Sequence, residues 1–309
     1  HSITALKLVN GERLWVGTTD GIYLYDGSRL VRHTVSWGSG SQVPIERVIT
    51  FSEANRLGTY LFTHDDGIFY KETDGRTFFP VAFSGYKNPG NVEIVLDAGA
   101  RGVLLLADGG IKHLDLFERI ASQVPVIRSS GEDVVALAYP GGDELLAFTK
   151  NRAITFRWNT RSGWRQSEFM KCTWRRPPSG LVIEAFPKQF FAITNKKLLT
   201  RFTVRGDRCE EKPFRPGLKR ALDASTIRRI DLLPQSQLLS VSTDQGLVLV
   251  GDEHVEVIEM DTSLLRSNQI MTVAELGENH FFVGTLIGLS EFSRPGFSVI
   301  TAPAGFLNP

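Results

Sequence analysis

Short apolar or alternating segments recur along the whole chain, separated by turns rich in glycine, asparagine and aspartate. Residues 3–34 show the unit, in which the segments ITALKLV, RLWVGTT, IYLYD and RLVRHTV are separated by NGE, DG and GS. Segments of this length with turns of two or three residues are typical of antiparallel strands joined by hairpins. The pattern therefore predicts a four-stranded antiparallel sheet at the start of the chain.

The same unit recurs with a period near 44 residues. Each copy has an apolar second strand, a turn and then an aliphatic residue, and successive aliphatic residues are 46, 43, 43, 44, 49 and 42 positions apart. These residues are Ile22, Ile68, Ile111, Ile154, Leu198, Leu247 and Leu289. Neighbouring sheets arranged in a ring can cover each other's apolar faces, which a single sheet cannot do. We therefore expect an all-β fold, a seven-bladed β-propeller with four antiparallel strands per blade.

The repeats occupy nearly all of the sequence, so we expect a single β-propeller domain over residues 1–309. The expected blades span approximately residues 3–35, 45–83, 91–125, 134–169, 181–217, 226–260 and 270–302. Long stretches of helical periodicity are absent, which excludes a barrel built from alternating strands and helices.

Composition changes this picture little. The 309 residues are 42% hydrophobic and 22% charged, which excludes a disordered, collagen-like or coiled-coil chain. No apolar run approaches 18 residues, so no transmembrane segment is expected. Two cysteines, Cys172 and Cys209, cannot build a disulfide framework. We therefore expect both cysteines to be reduced and the protein to be cytoplasmic, at most peripheral to membranes.

Charge is distributed unevenly along the chain. Residues 150–229 contain 20 Lys and Arg against six acids, a net charge of +14, while the remainder has 15 basic and 28 acidic residues, a net charge of −13. Segregated charge of this size either reflects ordinary solvated surface or marks a region that meets an anionic partner. Nucleic acid is disfavoured as that partner because no reader motif is present.

The basic region also contains tryptophans next to arginines, a combination enriched at protein interfaces. Trp158 and Trp164 fit strand positions and are expected to pack between blades. The candidate partner-binding residues lie in connections between blades instead, and the partner is expected to be a protein or an anionic membrane surface. They are Trp174, Arg175, Arg176, Lys212, Arg215, Lys219 and Arg220.

The sequence offers no grouped residues for catalysis, and we expect no catalytic residue, cofactor or metal ligand. The six histidines lack metal-ligand spacing, and no nucleotide-binding or nucleophile motif is present. The GGDEL run at 141–145 resembles the diguanylate cyclase signature, but it lies in a predicted hairpin turn. Asp65, Asp66, Asp108 and Asp244 end second strands, and in a carbohydrate-active propeller enzyme such residues would face the channel. Aspartate in a hairpin turn also has a structural role, so the enzyme stays a second alternative.

Several segments resemble the citron homology (CNH) domain family. They are ITALKLVNGERLWVGTTDGIYLYDG, NVEIVLDAGARGVLLLADGGIKHLDLFERI, DELLAFTKNRAITFRWN and QLLSVSTDQGLVLVGDEHVEVIEM. This resemblance implies a non-catalytic seven-bladed propeller that acts as a protein–protein interaction scaffold without a cofactor. Its partners would be small GTPases or other regulatory proteins, as in Rho guanine nucleotide exchange factors, in signalling or vesicle tethering.

The first blade supports an alternative. Its run LWVGTTDGI resembles the propeller of bacterial two-component regulators, and VGT at 283–285 partly repeats it. That resemblance implies a periplasmic ligand-sensing propeller instead of a cytoplasmic scaffold.

Overall fold

The structure is a computed structural model, which describes most of the 309 residues. The described residues are 2–9, 13–36, 48–53, 58–86, 92–98, 102–107, 110–124, 133–173, 178–186, 189–194, 198–205, 208–212, 214, 216–223, 225–251, 254–259, 265–278 and 280–293. They form two compact units, His1–Val81 with Gly217–Pro309, and Ala82–Pro216. Each unit is built from β-strands, and one short helix lies among the described residues.

The first unit begins with eight strands. They are β1 (Ile3–Val9), β2 (Arg13–Thr18), β3 (Gly21–Tyr25), β4 (Leu30–Val35), β5 (Val48–Glu53), β6 (Gly58–Thr63), β7 (Ile68–Glu72) and β8 (Thr77–Pro80). Both β1–β4 and β5–β8 are antiparallel meanders in sequence order, and they join into one sheet where β4 and β8 pair in parallel.

The second unit contains the next twelve strands. They are β9 (Val92–Asp97), β10 (Val103–Ala107), β11 (Gly110–Asp115), β12 (Ile120–Gln123), β13 (Ala136–Gly141), β14 (Glu144–Phe148), β15 (Arg152–Asn159), β16 (Gly163–Thr173), β17 (Pro178–Phe186), β18 (Gln189–Thr194), β19 (Leu199–Arg205) and β20 (Arg208–Lys212). β9–β12 form a four-stranded sheet, and the two following meanders close into a barrel through parallel pairs at both edges, β13 with β17 and β16 with β20.

The chain then completes the first unit. The remaining elements are α1 (Pro216–Leu222), β21 (Ile227–Leu233), β22 (Leu238–Thr243), β23 (Leu247–Val250), β24 (Val255–Ile258), β25 (Ile270–Gly277), β26 (His280–Thr285) and β27 (Gly288–Ser293). β21–β24 form a four-stranded antiparallel sheet and β25–β27 a three-stranded one. Residues 294–302, the end of the last predicted blade, lie outside the described residues.

The second strand of each meander is buried on both faces, which explains why it is apolar without alternation. All six residues of β6 and of β22 are buried, as are all five of β10. In the first unit, one apolar cluster packs β1–β4 on β5–β8 and another packs β21–β24 on β25–β27. In the second unit, the clusters pack β9–β12 on β13–β16 and β13–β16 on β17–β20.

Two glycines in second strands allow the sheets of the first unit to approach closely. A Cβ on Gly17 would lie 2.8 Å from the Cβ of Val48, and one on Gly284 would lie 2.6 Å from Cγ2 of Ile3. Atoms cannot approach this closely, so a larger residue at either position would force the sheets apart. The glycine of the VGT sequence shared by β2 and β26 is thus required for this packing.

A threonine closes the turn after the second strand in four of the described repeats. Its Oγ1 donates to the carbonyl oxygen of the glycine that follows the turn, at 2.9, 2.8, 2.7 and 2.9 Å. The pairs are Thr18 with Gly21, Thr63 with Gly67, Thr243 with Gly246, and Thr285 with Gly288. This bond links the apolar strand to the turn that follows it.

The predicted all-β fold of four-stranded antiparallel sheets is confirmed, since this sheet is the blade of a β-propeller. The number of blades and the single domain stay predictions. One repeat position is wrong: Leu198 is 40% exposed, whereas Leu199 pairs with Ile193 and is buried. The turn before β19 is therefore one residue longer than predicted.

Helix α1 was not expected in the connection after β20. Proline at its first position fits a helix start, and Leu218 and Leu222 bury one side of the helix. Lys219 and Arg220 lie in its last turn, where positive charge interacts favourably with the helix dipole.

A disulfide is present in the second unit. Cys209, which is fully buried on β20, is disulfide-bonded. The sequence contains one other cysteine, Cys172, and the parallel pairing of β16 with β20 places the backbones of the two residues opposite each other. The expectation that the cysteines are reduced is therefore wrong. No local pattern in the sequence indicates this parallel pairing, which brings the two cysteine positions opposite each other.

Replacing Thr243 by valine is expected to destabilise the protein by about 1–2 kcal/mol, because the Gln245 N–H loses its acceptor and the buried carbonyl oxygen of Gly246 keeps only the Thr243 N–H as a donor. Thr194→Val is the matched control: the Oγ1 of Thr194 is buried and has no hydrogen-bond partner among the described residues. That control should be neutral or stabilising. Urea unfolding of the three proteins measures the difference, and equal losses for both variants would contradict the role of the turn bond.

The disulfide predicts that the unfolded, unreduced protein has no free thiol, and that reduction exposes both. Thiol titration in denaturant, with and without prior reduction, makes this measurement. Reduction should also destabilise the fold by about 2–4 kcal/mol. Two titratable thiols before reduction would show that the disulfide does not form.

Candidate functional site

The first unit contains a cavity of about 160 Å³ between the β1–β4 and β5–β8 meanders. We refer to it as the Trp15 cavity. Its lining comes from β1, β2, β3, β4, β6, β7 and the turn between β7 and β8. The lining residues are Val9, Arg13, Trp15, Leu24, His33, Thr59, Lys71, Thr73, Asp74, Gly75 and Arg76.

Trp15 is the largest side chain of the cavity and is 2% exposed. Its ring stacks on Phe51 with centroids 5.3 Å apart, and Phe78 meets it edge-on at 5.6 Å. Aromatic pairs with these geometries add to the stabilisation that burial provides. The packing fixes the indole in place, so this wall of the cavity is formed before any ligand binds.

Lys71 brings a positive charge to the same wall. Its side chain is buried, and its Nζ lies 5.3 Å from the centroid of the Trp15 ring. The ammonium also donates to the backbone carbonyl oxygens of Glu72 and Thr73, at 3.0 and 3.2 Å. A buried ammonium is costly unless it is hydrogen-bonded, and the carbonyls together with the aromatic face reduce this cost. Lys71 is therefore held as a fixed cation beside the cavity.

His33 completes the buried part of the lining. Its ring is 6% exposed and meets Trp15 edge-on at 4.8 Å. Burial and the nearby charges of Lys71 and Arg76 lower the pKa of His33 to about 4, although hydrogen bonding to the Arg76 backbone works in the opposite direction. The imidazole is therefore neutral at neutral pH. Its buried Nδ1 has no hydrogen-bond partner within the described part of the chain.

Charged side chains surround the mouth of the cavity. Arg13, Asp74 and Arg76 are exposed, in contrast to the buried Trp15 and Lys71. Across the described ranges, neither guanidinium has an ion-pair or hydrogen-bond partner. Together with Lys71, the cavity has three permanent cations and one carboxylate, so its net charge favours an anion.

This site was not predicted from the sequence, although the sequence contains one signal of it. In IFYKE, alternation places Lys71 on the same face of β7 as Phe69, which is buried. A lysine at an inward position of an apolar strand is unusual and points to a special environment. Trp15 gave no such signal, because a tryptophan in a fully buried strand is expected to belong to the hydrophobic core.

Only three of the seven predicted partner-binding residues lie in the described part of the chain. Lys212 ends β20 in the second unit and forms an ion pair with Glu210 at 3.2 Å. Lys219 and Arg220 are exposed on α1, which belongs to the first unit apart from its first residue. The remaining four, which are outside the described residues, are Trp174, Arg175, Arg176 and Arg215. A partner site at these seven residues stays a prediction.

The aspartates considered for an enzyme have local roles where they are described. A carboxylate oxygen of Asp244 accepts a hydrogen bond from the Thr226 N–H at 2.7 Å, just before β21 begins. Asp65 is exposed and pairs with His64 at 2.7 Å in the turn before β7. Asp66 lies in the same turn, and Asp108 lies outside the described residues. Within the described residues, no three His, Cys, Asp or Glu side chains form a group that could hold a metal ion.

No protein-family profile and no curated protein matches the chain. Solved structures do resemble it. The extracellular domain of a one-component system from B. thetaiotaomicron matches with a TM-score of 0.66 and 16% identity, over 94% of this chain and 38% of that one. The extracellular domain of a hybrid two-component system from the same organism matches with a TM-score of 0.65 and 14% identity, over 94% and 40%. YCF48 bound to a D1 peptide matches with a TM-score of 0.63 and 12% identity, over 98% and 94%.

At these identities the likeness shows a shared fold. The chain spans about two fifths of the length of the two bacterial proteins that it matches. The expected cytoplasmic location is contradicted, because these neighbours are extracellular domains and because disulfides such as that of Cys209 are rare in the cytosol. Within the described residues, no helix has the length and hydropathy needed to cross a membrane. The resemblance to the citron homology family stays a prediction.

The pKa of His33 predicts a stability that depends on pH. Because this pKa is lower in the folded protein than in the unfolded chain, the unfolded state binds more protons between about pH 6.5 and 4, and stability falls as the pH falls through that window. The loss attributable to His33 is on the order of 2–3 kcal/mol.

Urea unfolding of the wild type and of His33→Phe at pH 7 and pH 4.5 measures this loss, because carboxylates titrate alike in both proteins. The wild type should lose more stability than the variant. Equal losses would mean that His33 is not held neutral.

Proposed function

We propose that this chain is a ligand-binding β-propeller module that works outside the cytoplasm, of the kind that senses small molecules for bacterial regulatory systems. The observation that carries the proposal is the Trp15 cavity, which is preformed and contains a buried cation and an unpartnered histidine nitrogen. A small-molecule site typically combines apolar walls with a few convergent polar groups. Core packing alone does not require a lysine at this place.

The fold comparisons support the proposal. The two bacterial neighbours are extracellular domains of one-component and hybrid two-component systems, and the likeness covers 94% of this chain in each case. The proposed role is that of a sensing module, since the matched part is about two fifths of those chains. The disulfide at Cys209 supports an oxidising compartment such as the bacterial periplasm.

The proposal includes the finer architecture that the sequence repeat predicts, a single domain with seven four-stranded blades. It assigns binding and no catalysis to the module. A ligand that binds between two sheets would stabilise their contact. A sensing module could transmit this increase in the stability of the folded state.

A protein-binding scaffold is the second candidate, and the YCF48 comparison favours it. That structure contains a bound peptide, and the match covers 98% of this chain and 94% of YCF48. The predicted partner-binding residues of the basic region would belong to this role. Phe117, which is 72% exposed, would suit a protein contact.

Ligand binding to the Trp15 cavity is expected to raise the melting temperature. A ligand present at about 100 times its Kd stabilises a protein by about 2.7 kcal/mol, which corresponds to a shift of roughly 5 °C or more for a chain of this size. A thermal-shift screen with neutral and acidic mono- and oligosaccharides, amino acids and small organic acids makes the measurement.

The variant Leu24→Trp places a larger ring into the cavity and should abolish the shift. Leu232→Trp, at a residue 39% exposed on β21, is the matched control and should retain it. No shift across the whole panel would contradict the sensing module and leave the scaffold. A shift that both variants retain would place the ligand at another site.

A further inference from the structure

The Trp15 cavity has chemistry specific enough to indicate the class of its ligand. This inference rests on the proposed function and deepens it. Three properties of the site limit the choice: the volume, the unpaired cations at the mouth and the neutral histidine in the buried part.

Size comes first. An engineered cavity of about 150 Å³ takes up benzene, so a space of about 160 Å³ holds one six-membered ring with few substituents. The exposed mouth at Arg13 and Arg76 lets the rest of a longer ligand extend into solvent. The ligand, or the part of it that enters, is therefore about as large as a monosaccharide.

The mouth specifies charge. Arg13 and Arg76 present guanidiniums that have no partner within the described part of the chain, and an arginine fork matches a carboxylate with two parallel hydrogen bonds. Lys71 adds a third positive charge from the buried wall of the cavity. Asp74 is the single acid in the lining, so the three cations outweigh it. A neutral ligand would leave this excess of positive charge uncompensated.

The buried part of the cavity offers one unsatisfied polar atom. Nδ1 of His33 has no hydrogen-bond partner among the described residues, and the residue is more than nine-tenths buried. A buried polar atom without a partner is costly. A neutral imidazole nitrogen either donates or accepts a hydrogen bond, and a ligand hydroxyl can supply the complementary group in both cases. The Trp15 ring beside His33 would limit the remaining space to about one ring.

We propose that the Trp15 cavity binds a sugar acid, a monosaccharide-sized ring whose carboxylate lies between Arg13 and Arg76 and whose hydroxyl is hydrogen-bonded to Nδ1 of His33. A uronic acid has this combination, either free or at the end of an oligosaccharide. Inorganic phosphate or sulfate shares the negative charge but lacks the ring.

Isothermal titration calorimetry with D-galacturonate and D-glucuronate, against D-galactose, D-glucose and inorganic phosphate, tests the assignment. At least one uronate should bind, roughly tenfold or more tightly than the matching neutral sugar, because a charge-assisted bidentate pair is lost with the carboxylate. Raising the salt concentration should weaken the binding of the uronate.

The double variant Arg13→Gln, Arg76→Gln should bind the uronate at least roughly tenfold more weakly. Both arginines are exposed, so the fold should tolerate the change. Arg165→Gln, at an exposed arginine of β16, is the matched control and should bind like the wild type.

Three outcomes would overturn the inference. The first is binding of the neutral sugar as tightly as the uronate, the second is phosphate binding as tightly as the uronate, and the third is no uronate binding at all. If another compound of the screening panel then shifts the melting temperature and Leu24→Trp abolishes that shift, the sensing module stands and only its ligand class is wrong. If no compound does so, the proposed function falls as well.

Discussion

The fold depends on one constraint, which is that the second strand of each sheet is buried on both faces. Strands such as β6, β10 and β22 have no solvent-facing side. A single four-stranded sheet cannot bury such a strand, so each unit is stabilised by the contacts between its own successive sheets. The glycines at 17 and 284 and the threonine-closed turns serve the same end, because they set how closely sheets approach and where each strand ends.

The Trp15 cavity is an exception to this apolar packing between sheets. Lys71 and His33 take positions between two sheets where apolar residues would pack, and each carries a cost of burial. The carbonyl oxygens of Glu72 and Thr73 and the face of Trp15 offset the cost for Lys71, and His33 offsets its own by staying neutral. Natural sequences tend to depart from consistent packing at functional sites, which is why we assign the cavity a function.

Much of the fold could be predicted from the sequence, because hydrophobic periodicity and turn residues act locally. Antiparallel meanders followed from alternation and from the spacing of turns. The error at Leu198 came from a turn one residue longer than predicted, which spacing alone cannot detect. The parallel pairings β4–β8 and β16–β20 join residues far apart in sequence and left no local pattern. For that reason the disulfide at Cys209 was missed, and a cytoplasmic location was wrongly expected.

The candidate site was harder to predict, because it arises from packing between sheets. The basic region at 150–229 drew attention through its net charge, yet the Trp15 cavity lies in the part of the chain that is acidic overall. The packing of the two meanders brings Arg13, Lys71 and Arg76 to one cavity. The net charge of a stretch of sequence does not show such a grouping. The one indication of the site in the sequence was that alternation places Lys71 at an inward-facing position of β7.

A crystal structure of the protein soaked with a uronic acid is the decisive measurement for the Trp15 cavity. We expect a ring beside the Trp15 edge, with its carboxylate within hydrogen-bond distance of Arg13 and Arg76 and a hydroxyl within hydrogen-bond distance of Nδ1 of His33. An empty cavity under saturating ligand, or ligand bound elsewhere on the molecule, would contradict it.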